Sequence, residues 1–321
     1  MELSTIYTPI QADLLRVEGR LKLVCKVDFP HLSELLDYGL QSNGKRIRPA
    51  LTLISGKFYD YDSDHLLSMA TALEIMHTAT LVHDDAIDKS SVRRGRTTIN
   101  ALWGEEKAVL LGDYLFAEAG AMTASTDNLR AIKLFAETLK TISRGEINQS
   151  YNAFNLKQSH AQYFQRVAQK TAALFSMATE SGAAMSQAPE ESIQILIEYG
   201  YDIGVAFQIV DDILDFIGTE EELGKPVGSD LSQGTITLPA MLLLERYPQD
   251  NPINRLLGSK DRQGEINRAI DMVRNSPIIQ ECYQVASDYC AKARRNLKLL
   301  PGTVGRQSLL DIADFITIRK K

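Results

Sequence analysis

From Leu66 onward the apolar residues return every third or fourth position, through Met69, Ala70, Leu73, Met76 and His77. The same interval recurs in Leu129, Ile132, Leu134, Leu139 and Ile142, and in Tyr163, Val167, Leu174 and Met177. That spacing lines one face of a helix. Alternation with period two, flanked by turn pairs, is hard to find. Prolines 30, 49, 189, 226, 239, 248, 277 and 301 fall where helices should begin or end. The pattern predicts helices over 8–26, 29–42, 46–60, 62–88, 97–104, 106–123, 127–153, 158–186, 189–218, 235–247, 261–275, 277–298 and 304–319. The longest polar, Gly-rich stretch is the loop at 219–234, and no strong linker divides the chain. The expectation is one all-α domain over 1–321, a large bundle with some helices buried on most faces.

Composition narrows the function classes. Lys plus Arg is 35 against 41 for Asp plus Glu, a formal charge of −6 in 321 residues, so no basic face for nucleic acid is expected. Cys25, Cys282 and Cys290 form no CxxC pair, so each is expected to be a small buried apolar residue. The start of the chain carries no basic region followed by an apolar run. Apolar stretches are broken by charge, as Ala108–Met122 is by Asp113 and Glu118, so no membrane span is expected. The expected compartment is the cytoplasm.

One short motif occurs twice: DDAID at 84–88 and DDILD at 211–215. On a helix the first and fifth positions lie one above the other, so Asp84 points with Asp88, and Asp211 with Asp215. Like charges at that spacing destabilise a helix, and Asp is a poor interior helix residue. Both clusters sit in apolar surroundings, Leu81, Val82 and Ile87 in one case and Ile209, Val210, Ile213, Leu214 and Phe216 in the other. A divalent cation compensates such a cluster directly, and oxygen-only ligands favour Mg²⁺. The candidate metal ligands are Asp84, Asp85, Asp88, Asp211, Asp212 and Asp215.

Basic residues complete an anion site. Gly44-Lys45-Arg46-Ile47-Arg48-Pro49 is a loop entering a helix, and Arg93-Arg94-Gly95 follows the first acidic cluster. Helix N-termini favour anions, and Arg suits forked hydrogen bonds to phosphate oxygens. With Lys170 and Lys225 these bases suggest two anion pockets, one bridged by metal to the aspartates and one made of Arg and Lys. His77 lies two helical turns before Asp84 on the same face; His83 abuts Asp84 as a second-sphere or packed residue.

In order along the chain, GKRIRP (44–49), HDDAID and RRG (83–95), GD (112–113), KT (170–171), FQIVDDILD (207–215) and GKPVGSDLSQGTITLP (224–239) resemble the trans-isoprenyl diphosphate synthases, or polyprenyl synthetases, especially the catalytic subunits of bacterial heptaprenyl diphosphate synthases. The resemblance implies antiparallel helices around a deep central cavity, usually as a homodimer, with a small accessory subunit in some members. It implies that Asp84, Asp88 and Asp211 ligate Mg²⁺ most directly, about three ions once substrate is bound, with Asp85, Asp212 and Asp215 direct or through water. Lys45, Arg48, His77 and Arg94 match contacts to isopentenyl diphosphate. Arg93, Lys170, Gln208 and Lys225 match contacts to an allylic diphosphate. Thr171 and Gln208, with Phe207 nearby, would lie by the developing allylic cation. Where many relatives carry a second Lys in the late loop, this chain has Gly234-Thr235-Ile236-Thr237. A C-terminal base, Arg319, Lys320 or Lys321, is a weaker candidate.

The growing product is apolar and must be housed. A helix of about twenty residues is roughly 30 Å long, enough for a product of about C30 to C40 alongside it. Met76, Ala79 and Thr80 lie one to two turns before Asp84, and the small Ala79 and Thr80 suit a deep pocket. Phe116 or Met122 could floor it. The competing readings are a shorter-chain (C15–C20) synthase, a class I terpene cyclase and a non-catalytic partner subunit.

Overall fold

The computed structural model describes residues 2–41, 44–224 and 226–319. Its helices are α1 (Leu3–Ile6), α2 (Gln11–Val24), α3 (Pro30–Leu40), α4 (Ile47–Gly56), α5 (Ser63–Ile87), α6 (Ile99–Trp103), α7 (Glu105–Ala124), α8 (Leu129–Tyr151), α9 (His160–Val167), α10 (Ala173–Ala184), α11 (Glu190–Ile217), α12 (Glu220–Leu223), α13 (Ser229–Ser232), α14 (Leu238–Arg246), α15 (Pro252–Arg255), α16 (Arg262–Arg274), α17 (Ile278–Leu297) and α18 (Val304–Ile318). The strands among the described residues are β1 (Val92–Arg93) and β2 (Arg96–Thr97), an antiparallel pair. The protein is all-α in architecture.

Local chemistry sets the helix ends. Pro30, Pro239 and Pro252 occupy first-turn positions, where the missing N–H has no helical partner to lose. Asp62 caps α5 by accepting from the Asp64 and His65 amides at 2.8 and 2.9 Å. Ser159 and Gln162 form a reciprocal capping box on α9.

Burial goes further than the apolar spacing suggests. Every residue from Met69 to Met76 is buried, so α5 is a central helix enclosed on all sides. It packs on α7 and α4, while α11 packs on α10 and α17. Thr179 bonds the Leu196 carbonyl at 2.6 Å, and Gly204 meets Ala172, so α10 and α11 run antiparallel. Any side chain at Gly204 would place its Cβ 2.5 Å from Ala172 Cα. Asn296 to Glu198 and Lys292 to Asp202, at 3.0 and 2.9 Å, set α17 antiparallel to α11 in the same way.

Two segments depart from the sequence reading. The stretch 158–186 is not one helix: Ala168–Ala172 forms a π-helical turn between α9 and α10. Such a turn widens the backbone by one residue and marks functional positions in many helices. The 219–234 loop holds two single turns, α12 and α13. Arg94 and Gly95 form the hairpin turn between β1 and β2, with φ of 51° and 72°, as a two-residue turn of this hand requires.

The apolar helix α11 has the length and hydropathy of a membrane span, but 61% of that window is buried against other helices. Its buried residues include Asp202, Asp212 and Asp215. The three cysteines are free and buried.

Candidate active site

The first acidic cluster closes α5. Asp84 and Asp85 fill its last turn, and Asp88 is its C-cap, with its amide bonded to the Asp84 carbonyl at 2.8 Å. A helix C-terminus carries partial negative charge, so three carboxylates there call for cations. The protein supplies some. Arg93 Nε donates to Asp85 Oδ1 at 2.7 Å, and Lys170 Nζ lies 3.7 Å from Asp84 Oδ2. Burial raises the pKa of Asp85 against the opposing pull of Arg93. Burial also raises that of Asp88, with Lys170 opposing and Asp84 reinforcing.

The second cluster lies inside α11. Asp212 accepts from Tyr163 Oη at 2.7 Å and from Gln208 Nε2 at 2.8 Å. Burial pushes its pKa to about 7, with repulsion from Asp230 adding to the shift. Asp215 accepts from Ser229 Oγ at 2.9 Å and from the Asp230 amide at 3.2 Å, and its own carbonyl holds the Gly228 amide. It therefore fastens the start of α13 to α11. Asp212 and Asp215, expected to serve the metal directly or through water, have protein donors on both carboxylate oxygens and are almost fully buried. Asp211 is different. Its side chain is 43% exposed, and Oδ1 takes a bond from Arg319 Nη2 at 2.7 Å.

The π-helical turn connects the two clusters. Lys170 reaches Asp84, and the next residue, Thr171, donates to Gln208 Oε1 at 2.5 Å, which in turn holds Asp212. Gly145 on α8 makes room: a Cβ there would come 2.9 Å from Gln169 Cβ. Glu146, also on α8, holds Lys170 at 2.7 Å. Phe207 packs against Phe175 with the rings tilted and their centres 5.1 Å apart, and the Arg319 guanidinium lies over the Phe207 ring at 3.8 Å.

A basic wall stands beside this. The Arg48 guanidinium lies 4.8 Å over the Phe175 ring, and its Nε is buried with no hydrogen-bond partner. Burial lowers its pKa to about 10, while Glu74 and Asp211 oppose the fall. Burial also lowers Arg94, which likewise feels Glu74 and Asp211. His77 is held well below the usual imidazole range by burial and then by Arg48, Arg94, Arg93 and Arg46, so it is neutral near pH 7. Lys45 Nζ lies 5.9 Å from the Phe315 ring centre. Arg48 and Arg94 thus share a field with Asp211 of the second cluster, and Arg93 ties the same wall to Asp85 of the first.

Among the described residues, no three His, Cys, Asp or Glu groups converge on a point where protein alone could hold a cation. The donor set nevertheless fits Mg²⁺, which takes one or two carboxylates and completes its shell with water and substrate phosphate.

Other expected positions sort cleanly. His83 turns to α7, with Nε2 2.9 Å from the Val109 carbonyl, and a Cβ on Gly112 would lie 2.0 Å from that atom. His83 is therefore a packing residue, and Gly112 is small because of it. Phe116 meets His83 edge-on at 5.5 Å. Met76 and Ala79 are fully buried, and the Thr80 hydroxyl bonds the His77 carbonyl at 2.7 Å. Lys225, Lys320 and Lys321 lie outside the described residues. Spacing alone missed Glu146, Tyr163 and Ser229, whose elements meet the clusters only in three dimensions. Asp230 was legible only as part of GSDLSQG.

Comparison with known proteins agrees. The polyprenyl synthetase family model matches residues 29–273. Component 2 of the heptaprenyl diphosphate synthase of Bacillus subtilis (strain 168) is 38% identical over 320 residues, spanning 100% of this chain and 92% of that protein. The heptaprenyl diphosphate synthase of Staphylococcus aureus superposes with a TM-score of 0.92 at 36% identity, covering 97% of this chain and 99% of that one. A polyprenyl synthase from Caulobacter crescentus CB15, solved with calcium and isoprenyl diphosphate, gives a TM-score of 0.93 at 32% identity, covering 100% and 98%. With a family match over most of its length and both acidic clusters meeting at one π-helical turn, the chain belongs to the polyprenyl synthetase family.

Proposed function

We propose that this prenyltransferase joins isopentenyl diphosphate head to tail to an allylic diphosphate, giving an all-trans product of about C30 to C40, the length a helix-long pocket would house. The observation that carries this reading is the adjacent pair Lys170–Thr171: Lys170 reaches Asp84 of the first acidic cluster and Thr171 reaches Asp212 of the second through Gln208, beside a separate wall of Lys45, Arg48, His77 and Arg94.

Asp84, Asp88 and Asp211 would hold Mg²⁺, with Asp85, Asp212 and Asp215 behind them fixing their positions. When bound, the metal neutralises charge growing on a leaving diphosphate. Lys170 and Arg93 add positive charge at that point, preorganised by Glu146 and Asp85. Lys225 joins them on the sequence pattern. The oxygens of Thr171 and Gln208 face the allylic cation, and the Phe207–Phe175 pair keeps water from it. On the basic wall, Arg48 and Arg94 lack a carboxylate partner among the described residues and offer their donors to the second diphosphate. The double bond of isopentenyl diphosphate attacks C1 of the cation, and the departed diphosphate takes the proton. No side-chain base is required.

The same reading makes the enzyme a cytoplasmic homodimer. The name of the Bacillus relative, component 2, supports a small accessory subunit for this chain as well. The product is lipophilic, and no nucleic acid is bound.

Purified chain incubated with farnesyl diphosphate, isopentenyl diphosphate and Mg²⁺ tests the proposal. Elongated diphosphates that vanish with a chelator support it. Hydrocarbon release without use of isopentenyl diphosphate would point to a cyclase. No turnover, restored by an added subunit, would point to an obligate partner.

A further inference from the structure

The segment Gly44–Pro49, which enters α4, carries three bases, and the structure gives the middle one a different job from its neighbours. Arg46 Nε lies 2.5 Å from Glu18 Oε1, Nη2 lies 3.3 Å from Glu18 Oε2, and Nη1 lies 2.5 Å from Glu74 Oε1. A longer contact, 3.5 Å, joins Nη2 to the Leu40 carbonyl. Every donor-bearing nitrogen of the guanidinium is therefore engaged by α2, α3 or α5. Its side chain is 12% exposed and that of Glu74 is 7% exposed. Arg48 and Arg94, by contrast, have no carboxylate within salt-bridge reach among the described residues.

The backbone makes the same distinction. Arg46 is the N-cap of α4 in the left-handed region, with φ 51° and ψ 32°. An L-residue with a Cβ is strained there and persists only when its surroundings fix it. The two-carboxylate grip supplies that fixation. On the far side of the turn, Tyr7 Oη holds the Lys45 carbonyl at 3.0 Å. Between the two anchors the chain passes through the left-handed cap, with Lys45 just before it and Arg48 in the first turn of α4.

Glu74 is also the buried carboxylate in the middle of the wall. A Cβ on Gly44 would meet Arg94 Nη1 at 3.3 Å and both Arg46 Nη1 and Glu74 Oε1 at 3.5 Å, so these groups converge on one small space. Glu74 acts on Arg46, Arg48 and Arg94 alike. Its charge offsets repulsion among arginines that surround neutral His77, and its bond to Arg46 removes that residue from the set available to a ligand.

We infer that Glu74 and Glu18, acting through Arg46, are positioning residues for the metal-free diphosphate pocket: they lock the left-handed cap so that Lys45, Arg48 and Arg94 meet isopentenyl diphosphate. This rests on the reading of that wall given under Proposed function. The prediction is a split between substrates. Glu74→Gln and Arg46→Lys raise KM for isopentenyl diphosphate by about tenfold or more, the scale of a lost charge-assisted fork. KM for the allylic diphosphate and kcat at saturation change by less than about threefold, because neither residue touches the acidic clusters. Glu74→Asp, which keeps the charge, recovers part of the loss seen in Glu74→Gln. Glu18→Gln, at the exposed end of the fork, gives a smaller effect in the same direction. Calorimetric titration with isopentenyl diphosphate alone, without metal, should show the same weakening with no turnover involved.

Equal rises in both KM values, or a fall in kcat with KM unchanged, would overturn the inference and leave Glu74 a structural residue. If Glu74→Gln does not fold, Arg46→Lys and Glu18→Gln still decide between these outcomes. Wild-type enzyme that fails to elongate would refute the functional reading; wild-type enzyme that elongates, with variants unshifted in the isopentenyl KM, would refute this inference alone.

Discussion

Thr171 donates its hydroxyl to Gln208 Oε1 across 2.5 Å, and this bond orients the carboxamide whose Nε2 holds Asp212. The three groups form one chain of donors from the π-helical turn to the second acidic cluster. Thr171→Val keeps the shape and removes the hydroxyl, so the Gln208 amide is free to turn. The expected cost is about 1 kcal/mol of stability and about a tenfold loss of kcat, with KM for isopentenyl diphosphate little changed. Steady-state kinetics on both substrates and a thermal melt check this; a rise confined to that KM would place the bond elsewhere in the mechanism.

Arg319 occupies the carboxylate that the second cluster most exposes. Its Nη2 also bonds the Phe207 carbonyl at 2.7 Å, and its side chain is 2% exposed. A cation arriving at Asp211 competes with that guanidinium. Arg319→Gln should therefore tighten binding of Mn²⁺ to the substrate-free protein, by about threefold to fivefold, the worth of a partly exposed ion pair. Electron paramagnetic resonance of free Mn²⁺ measures it. Unchanged or weaker binding would mean that Asp211 is not a metal ligand, or that Arg319 moves away at no cost.

Much of this could be read before folding. The i, i+4 carboxylates, the bases of GKRIRP and the all-helical pattern are local properties, written in spacings of three and four. The fate of individual carboxylates was not local. Asp212 and Asp211 are neighbours in sequence with similar spacing arguments, yet one is buried against Tyr163 and the other faces Arg319. Those partners come from positions 49 residues before and 108 residues after them. The π-helical turn was hidden for a different reason: Ala168–Ala172 has ordinary helix-forming residues, and its packing against Gly145 of α8 is a tertiary contact that spacing does not carry. His83 is the converse case. Its place beside Asp84 left open a second-sphere or a packed role, and Gly112 decides for packing by opening a slot on α7 that takes the ring.

Ala79 is fully buried about one turn before Asp84, next to Thr80, on the helix that would flank the product. Ala79→Tyr places a phenol in that path. The product distribution should shift to shorter chains, with the first condensations retained. Overpacking would also lower stability by about 1–3 kcal/mol. Chromatography of dephosphorylated products settles the matter, and an unchanged chain length in a folded variant would remove Ala79 from the chain-length determinants.

Asp202 lies away from the site but carries a pH signature. Its side chain is wholly buried, Oδ1 lies 2.9 Å from Lys292 Nζ, and Oδ2 is buried without a partner. Burial raises its pKa above the ordinary carboxylate value; Lys292 and Arg295 oppose the shift, and Glu198 adds to it. A carboxyl raised in the folded state holds its proton longer there than in the unfolded chain. Unfolding then releases that proton, so this group's contribution favours the fold at acid pH and is lost as pH rises through the folded pKa. Asp202→Asn removes the titration while keeping the shape, and Lys292, 51% exposed, stays solvated without its partner. The stability of the variant relative to wild type should therefore increase as pH climbs from about 4, then level off once wild-type Asp202 is fully ionised. Urea denaturation at a series of pH values reads this difference directly. A relative stability that instead falls with rising pH would show that the Lys292 pair outweighs burial and that Asp202 is ionised throughout.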